Sequence, residues 1–199
     1  HQHRIKGASR HAAGTVSKPL PEKGFGVPGR PILIDLAIAL CAGYVATRVS
    51  DKAQRLFYRL TPVTEKLREP DYPGCSSAEQ AARMTAEALG VRRTRRRIGI
   101  MKSCIHYGLG SLWGALYPPL RCAPGLGPLA AGTALGAGLS VLVDEGVCPA
   151  LGITAPNRAY PLSAHARGLA VHLVYGLTLA LCAEALRRAL RTRDEEAAG

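Results

Sequence analysis

The sequence predicts an all-α protein, an integral membrane bundle of about four transmembrane helices with a long polar connection between the first and the second. Hydrophobic residues make up 47% of the 199 residues, but they are concentrated in a few stretches. The longest, residues 122–143, contains no charged residue, and a helix needs about 20 apolar residues to cross the hydrocarbon layer of a bilayer. The regions between these stretches are strongly polar, an alternation typical of a multi-pass membrane protein.

The charge of the chain has two interpretations. The net charge is +12, as in many nucleic-acid-binding proteins. Basic residues that flank apolar spans and meet anionic lipid head groups produce the same excess. The apolar stretches favour the membrane interpretation, so the expected partner is the lipid bilayer and not nucleic acid. The six cysteines form no CxxC pair, so neither a zinc site nor a thioredoxin-like site is expected.

The first third of the chain contains the first span and most of the polar connection. Residues 1–30 are rich in Gly, Pro, Lys and Arg, and we expect a basic mobile tail there. The first span is residues 31–47, and its helix is expected to continue as an amphipathic stem through Leu60 and to end before Pro62. The polar connection comprises residues 48–97.

One short helix is predicted inside this connection. Ser76 followed by Glu79 is a capping-box pattern, which satisfies the free N–H groups at the start of a helix. Gly90 stands where a C-cap glycine is expected. A helix with the sequence SAEQAARMTAEAL should therefore lie between them.

Three further spans complete a membrane domain that covers residues 31–190. The second span is predicted at about 98–117, the third at about 125–147 and the fourth at about 164–186. Residues 191–199 form a C-terminal tail in this prediction.

Small residues recur every fourth position in three of the spans, and such rows let helices approach closely in lipid. In the first span the row is Ala39, Gly43 and Thr47. We expect the second and third spans to pack against each other through Gly110, Gly114, Gly132 and Gly136.

Four spans divide the connections between two sides of the membrane. Side A carries the N-terminus, the 118–124 loop and the C-terminus, and side B carries the 48–97 and 148–163 connections, which place Cys75 and Cys148 on the same side. The numbers of Lys and Arg on the two sides are nearly equal, so charge leaves the orientation open. A basic run just before the second span is expected to contact lipid head groups through Arg92, Arg93, Arg95, Arg96 and Arg97.

The second to fourth spans contain three phrases, HYGLGSLWGALY (106–117), VLVDEGVCPALGI (141–153) and YPLSAHARGLAVHLVYG (160–176). In this order they resemble the YagU-like family of bacterial inner-membrane proteins, a domain of unknown function. The resemblance covers roughly residues 98–190. It implies four helices in a bacterial inner membrane with both termini cytoplasmic, and it implies no known reaction.

Ionisable residues within the spans gather towards side B. His106 and His172 each lie about eight residues from side B on helices that run in the same direction, roughly 12 Å from the entry point. Charges within a membrane domain usually face the bundle interior and pair with one another. The expected polar cluster consists of His106, His172, Asp144, Glu145, Lys102, Arg48, His165 and Arg167.

This cluster permits three interpretations. In the first, Asp144 or Glu145 forms structural ion pairs with the neighbouring bases. In the second, His106, His172 and an acid form a proton relay or a pH sensor, because imidazole titrates near neutral pH. In the third, the two histidines, which we expect to face each other or to share a neighbour inside the bundle, hold a metal or haem, although no HxxxH or ExxH spacing supports this.

The adjacent acids of the third span should behave differently from each other. Neighbouring residues of an α-helix point about 100° apart, so Asp144 and Glu145 should not both face one partner. We expect one of them to turn inward to a base and the other to reach the side B surface.

The function predicted from these patterns is that of a non-enzymatic, multi-pass protein of the bacterial inner membrane. It would be a structural, regulatory or accessory subunit of a larger complex, with the bilayer, anionic lipid head groups and other membrane subunits as partners. No catalytic residue, metal or cofactor is expected. The alternative is a small proton- or ion-handling membrane protein that uses the His/Asp/Glu cluster near one membrane face.

Overall fold

The computed structural model describes residues 32–198, and in that range it is built of helices alone. Three of the helices are long and apolar enough to cross a membrane, and they span Ile32–Leu60, Pro128–Ala150 and Leu162–Ala197. The predicted all-α class and its apolar helices are therefore confirmed. The tail predicted at residues 1–30 lies outside the described residues.

Helix α1 (Ile32–Leu60) contains both the first span and its stem, and it ends before Pro62 as predicted. Its buried residues recur at helical spacing from Asp35 to Thr47 and define one face. The opposite face of the same segment exposes large apolar side chains such as Leu33 and Val45. This exposure fits a surface that meets lipid rather than water.

The polar connection contains two helices, α2 (Val63–Lys66) and α3 (Ser77–Ala88). The capping prediction is confirmed, because Ser76 Oγ accepts a hydrogen bond from the Glu79 backbone N–H at 3.3 Å. Gly90 has a φ of 63°, the left-handed conformation that glycine adopts most readily after a helix.

Helix α4 (Arg95–Gly114) corresponds to the second predicted span, but it is not one of the three apolar helices. Its composition explains the difference, because Arg95, Arg96, Arg97 and Lys102 all lie in its first half. His106 contacts Asp51, which lies beyond Arg48 in the polar stem of α1. The first half of α4 therefore lies beside the charged stem, and only its second half lies beside the apolar half of α1.

The third predicted span begins and ends later than expected. After the short α5 (Tyr117–Arg121), helix α6 (Pro128–Leu139) continues into a π-helical segment, Ser140–Val147, and a final turn, α7 (Cys148–Ala150). The helix ends at Ala150, directly after Pro149.

The fourth predicted span lies within α8 (Leu162–Ala198), which follows a 3₁₀ turn, Asn157–Ala159. The helix begins two residues before the predicted start. It also continues through the region predicted as a C-terminal tail, where Arg191 and Arg193 are exposed.

Helices α1 and α4 run antiparallel and meet through small residues. A Cβ on Gly43 would lie 2.9 Å from the carbonyl oxygen of Gly110. A Cβ on Gly110 would overlap the Thr47 side chain, and one on Gly114 would overlap the Ala39 carbonyl oxygen. The row of small residues predicted on the first span is therefore the surface that receives α4.

Helices α6 and α8 make a second antiparallel contact of the same kind. A Cβ on Gly132 would overlap the carbonyl oxygen of Gly176, and one on Gly136 would overlap the carbonyl oxygen of His172. All four predicted glycines thus lie at helix contacts, but the predicted partners are wrong. Gly110 and Gly114 pack on α1, and Gly132 and Gly136 pack on α8, because α1 and α8 supply facing rows of small residues.

The connections group at two ends of the bundle, as the predicted topology requires. At the side B end, the Tyr72 hydroxyl donates to the Gly152 carbonyl oxygen at 3.1 Å, which joins the two side B connections. At the side A end, Arg187 near the end of α8 contacts Asp35 near the start of α1. Ionisable groups are therefore found at both ends.

Candidate functional site

The first polar contact of the side B end joins α4 to α1. His106 Nε2 lies 2.8 Å from Asp51 Oδ1, and the Tyr107 hydroxyl donates to Asp51 Oδ2 at 2.8 Å. The Arg48 guanidinium lies over the Tyr107 ring, 5.6 Å from its centroid. Asp51 was not among the predicted site residues, because the stem of α1 was interpreted as an amphipathic extension outside the cluster.

The second and third contacts join the π-helical segment to α8. His165 Nδ1 lies 2.7 Å from Glu145 Oε1, and His172 Nδ1 lies 3.3 Å from Asp144 Oδ2. The two histidines are seven residues apart, so they lie on one face of α8. We call these two pairs, together with His106–Asp51, the side B histidine pairs.

The prediction that Asp144 and Glu145 would face in different directions is wrong. Both carboxylates turn to α8, where each meets its own histidine. The facing helix offers two imidazoles two turns apart, so adjacent acids can both be paired from one side. The π-helical winding of Ser140–Val147 is the local feature that the α-helical argument omitted, and such segments are frequent at functional sites.

Arg167 and Lys102, two of the bases expected to pair with Asp144 or Glu145, have other partners. Arg167 donates to Glu69 Oε2 at 2.9 Å, and Lys102 donates to Glu79 Oε2 at 3.5 Å. Arg83 also donates to Glu79, at 2.7 Å, and this hydrogen bond is the main reason that the pKa of Glu79 is lowered below its ordinary value.

Polar contacts also join α2 to the start of α8. The Ser163 hydroxyl donates to Glu65 Oε2 at 2.7 Å, and this bond is the largest cause of the lowered pKa of Glu65. The long connection is therefore attached to the bundle by specific hydrogen bonds, and α3 adds apolar contacts through Ala82 and Ala86.

A cavity of about 230 Å³ opens beside the two pairs of α8. Asp144, Glu145 and His165 line it, together with Cys148, Asn157 and Arg167. Its volume corresponds to several water molecules, each of which occupies about 30 Å³ in the liquid. Water thus has access to two of the carboxylates and to one imidazole.

The two histidines expected to face each other are held apart by different carboxylates. His106 contacts Asp51 on α1, and His172 contacts Asp144 on the π-helical segment. Across residues 32–198, no hydrogen bond or ring contact joins these two imidazoles, and no group of three or more His, Cys, Asp or Glu side chains has a metal-binding arrangement. The structure gives the metal or haem interpretation no geometric support.

A second polar cluster lies at the side A end, and sequence reasoning missed it. Arg187 Nε donates to Asp35 Oδ1 at 2.9 Å, and Arg187 Nη1 donates to Glu184 Oε1 at 3.0 Å. Arg121 donates to both oxygens of Glu184, and the Tyr117 hydroxyl also donates to this carboxylate, at 3.2 Å. We call these five residues the side A network.

The side A network is the most deeply buried polar group among the described residues. The side chains of Arg187 and Asp35 are only 2% and 3% exposed. Two guanidinium groups balance two carboxylates, so the network is electrically neutral. Its sequence signal was available: Asp35 and Glu184 are acids within apolar helices, and the predicted topology places them at the same end as Arg121 and Arg187.

The remaining predicted contacts concern the surface of the side B end. Arg92, Arg93, Arg95, Arg96 and Arg97 are all exposed. Cys75 and Cys148 are free thiols, and Cys148 is buried in α7.

Comparison with known proteins gives no relative for this chain. No family model, no curated protein and no solved structure matches it. The resemblance of its three phrases to the YagU-like family therefore enters the argument only as a proposal.

Proposed function

We propose that this chain is a non-enzymatic, multi-pass membrane protein that serves as a structural or regulatory subunit and whose side B end responds to pH. The observation that carries the proposal is the set of side B histidine pairs. Each pair joins two different helices: α4 with α1 once, and α8 with the π-helical segment twice.

The membrane part of the proposal rests on the exposed apolar side chains. They occur on the three long apolar helices and also on the second half of α4, where Leu109 and Leu112 are 48% and 60% exposed. We propose that α4 joins the other three as the fourth helix of the membrane domain. The YagU-like resemblance supports a bacterial inner membrane as its location.

The regulatory part follows from the chemistry of imidazole. A protonated imidazole forms an ion pair with a carboxylate, whereas a neutral one forms only a hydrogen bond. Protonation of an imidazole would therefore strengthen its side B contact, and loss of that proton would weaken it. A change of pH on side B would alter how firmly α4 and α8 are attached to their neighbours, and a partner subunit would sense this.

A double-mutant cycle tests the regulatory part. The full chain, its His165→Gln and Glu145→Gln variants and the double variant are unfolded in mild detergent at about pH 5.5 and about pH 8, on either side of the ordinary histidine pKa of about 6.5. We expect each single variant to lose the stability gained at the lower pH, by about 1 kcal/mol or less because the pair is partly exposed. The double variant should lose no more than either single one. Additive losses would show that the two residues act separately.

A second candidate function is proton handling, and the 230 Å³ cavity favours it. Its lining brings water to Asp144, Glu145 and His165, and carboxylate–histidine chains carry protons in many transport proteins. Vesicles that contain the purified chain and a trapped pH-sensitive dye would distinguish the two functions. A proton flux that Asp144→Asn abolishes favours transport. A pH-dependent stability without any flux favours the structural or regulatory function.

A further inference from the structure

A second, larger cleft lies at the side B end, between α3 and the first turns of α4. Its volume is about 770 Å³, within the range of about 300–1,000 Å³ that is usual for ligand sites. The α3 helix forms one wall with Glu79 and Arg83. The other wall contains Arg95, Ile98 and Lys102 of α4, and Arg93 lies at the entrance between the two helices.

The charges of this α3–α4 cleft are unbalanced. Four bases line it, and Glu79 is the one acid among the lining residues. Glu79 is already bonded to Arg83 at 2.7 Å and to Lys102 at 3.5 Å. Arg95 forms no hydrogen bond or ion pair with any residue of the described range, and the pair between Arg93 and Glu87, at 3.3 Å, is largely exposed. The cleft therefore has an excess of about two to three positive charges. A concave surface with such an excess concentrates anions.

The position of the cleft indicates which anion it meets. Lys102 lies one helical turn before His106, and His106 contacts Asp51 in the charged stem of α1. The cleft therefore begins about one helical turn beyond the level of Asp51, on the polar side of the point where α1 changes from apolar to charged, and lipid head groups lie on that side of the hydrocarbon layer. Ile98 and Gly99 are the uncharged residues of the lining and lie between Arg95 and Lys102 on α4.

We propose that the α3–α4 cleft binds the phosphate of an anionic phospholipid, with Arg93 and Arg95 as its main donors. Guanidinium groups bind phosphate oxygens through paired hydrogen bonds, and basic pockets beside membrane helices bind anionic head groups. This inference rests on the membrane location proposed above, and it assigns the head group to a defined site instead of to the whole basic run.

The chain offers a matched pair of variants for the test. Arg93→Gln/Arg95→Gln removes two charges from the cleft. Arg96→Gln/Arg97→Gln removes two charges from the same basic run at exposed positions outside the cleft. Both double variants have the same net charge, so any difference between them comes from the site.

The experiment measures binding of a fluorescent phosphatidylglycerol to the full chain in mild detergent, with phosphatidylcholine and inorganic phosphate as competitors. We expect the cleft variant to bind phosphatidylglycerol at least roughly tenfold more weakly, the effect of losing one charge-assisted hydrogen bond. The control variant should bind within about threefold of the original chain. Phosphatidylcholine and inorganic phosphate should both compete poorly.

Several results would overturn the inference. Equal losses in the two double variants would mean that surface charge alone attracts the lipid. Equal competition by phosphatidylcholine would remove the preference for an anionic head group, and strong competition by inorganic phosphate would make free phosphate the ligand. Carbonate extraction of membranes tests the proposed location separately. A chain that stays in the membrane but fails the lipid test contradicts this inference alone.

Discussion

The two ends of the bundle both pair carboxylates with bases, but the bases differ. The side A network pairs its carboxylates with the guanidinium groups of Arg187 and Arg121, and Arg187 is 2% exposed. At side B three carboxylates pair with imidazoles, whose side chains are 24–40% exposed, and Arg167 pairs with Glu69 beside them. Guanidinium stays charged at any ordinary pH, whereas imidazole does not.

This difference assigns different roles to the two ends. A buried pair whose guanidinium stays charged fixes the start of α1 to α8 and does not depend on the titration of an imidazole. Partly exposed pairs with a titratable partner allow the other ends of the same helices to respond to their surroundings. We therefore interpret side A as the constant end of the bundle and side B as the adjustable end.

The largest effect is expected at side A. Arg187→Gln leaves the buried carboxylate of Asp35 without its guanidinium, and breaking such a pair typically costs about 3–5 kcal/mol. The free energy of unfolding in detergent measures this loss. The neighbouring Arg188 is exposed, so Arg188→Gln serves as the control and should cost less than about 0.5 kcal/mol.

A compensating change sharpens the test of the side A network. Asp35→Asn in the Arg187→Gln background removes the unpaired charge, so it should restore part of the lost stability. If Arg187→Gln and Arg188→Gln unfolded alike, the distinction between a constant and an adjustable end would lose its basis.

An intermediate effect is expected between the two ends, where α6 meets α8. Gly136→Ala would place a methyl group against the His172 carbonyl oxygen, and overpacking of this kind costs about 1–3 kcal/mol. Gly138→Ala is the matched control, because a Cβ there meets nothing within 4 Å. Thermal unfolding of both variants measures the difference. If Gly136→Ala lowered the melting temperature equally at all pH values, this contact would belong to the constant part of the bundle. Equal melting temperatures of the two variants would refute the close approach of α6 and α8.

Much of the fold could be predicted because its signals are local. The cap at Ser76, the end of α1 before Pro62 and the small residues at helix contacts depend on short stretches of sequence. The partners of the glycines could not be read in the same way, because the rotation of one helix against another is set by all contacts of the bundle. The π-helical winding around Asp144 likewise has no sequence pattern that distinguishes it from an α-helix.

The candidate site was predicted from the distance of each residue from the side B end of its helix. That distance was insufficient to identify the partner of each side chain. It placed His106 and His172 at the same distance along their helices, but it gave no information on which helix each would face. Asp51 became the partner of His106 only through the register of α4 on the stem of α1. At the other end, Asp35 and Arg187 are 152 positions apart, and only the folded bundle brings them together.

The smallest effect is expected in the attachment of α3, and it has the opposite pH dependence to the histidine pairs. Because Arg83 and then Lys102 hold the pKa of Glu79 below its ordinary value of 4.5, the contribution of this carboxylate is complete above about pH 4.5 and is lost as the pH falls through its lowered pKa. Acidification should therefore strengthen the histidine pairs first and release α3 later.

Hydrogen exchange of the α3 amides measures the release. We expect faster exchange in Glu79→Gln already at neutral pH, while Glu87→Gln, which loses only the exposed pair with Arg93, should exchange like the original chain. If neither a lower pH nor Glu79→Gln changed the exchange rate of the α3 amides, the apolar contacts of Ala82 and Ala86 alone would hold this helix on α4. The adjustable end would then include the histidine pairs but not the polar connection.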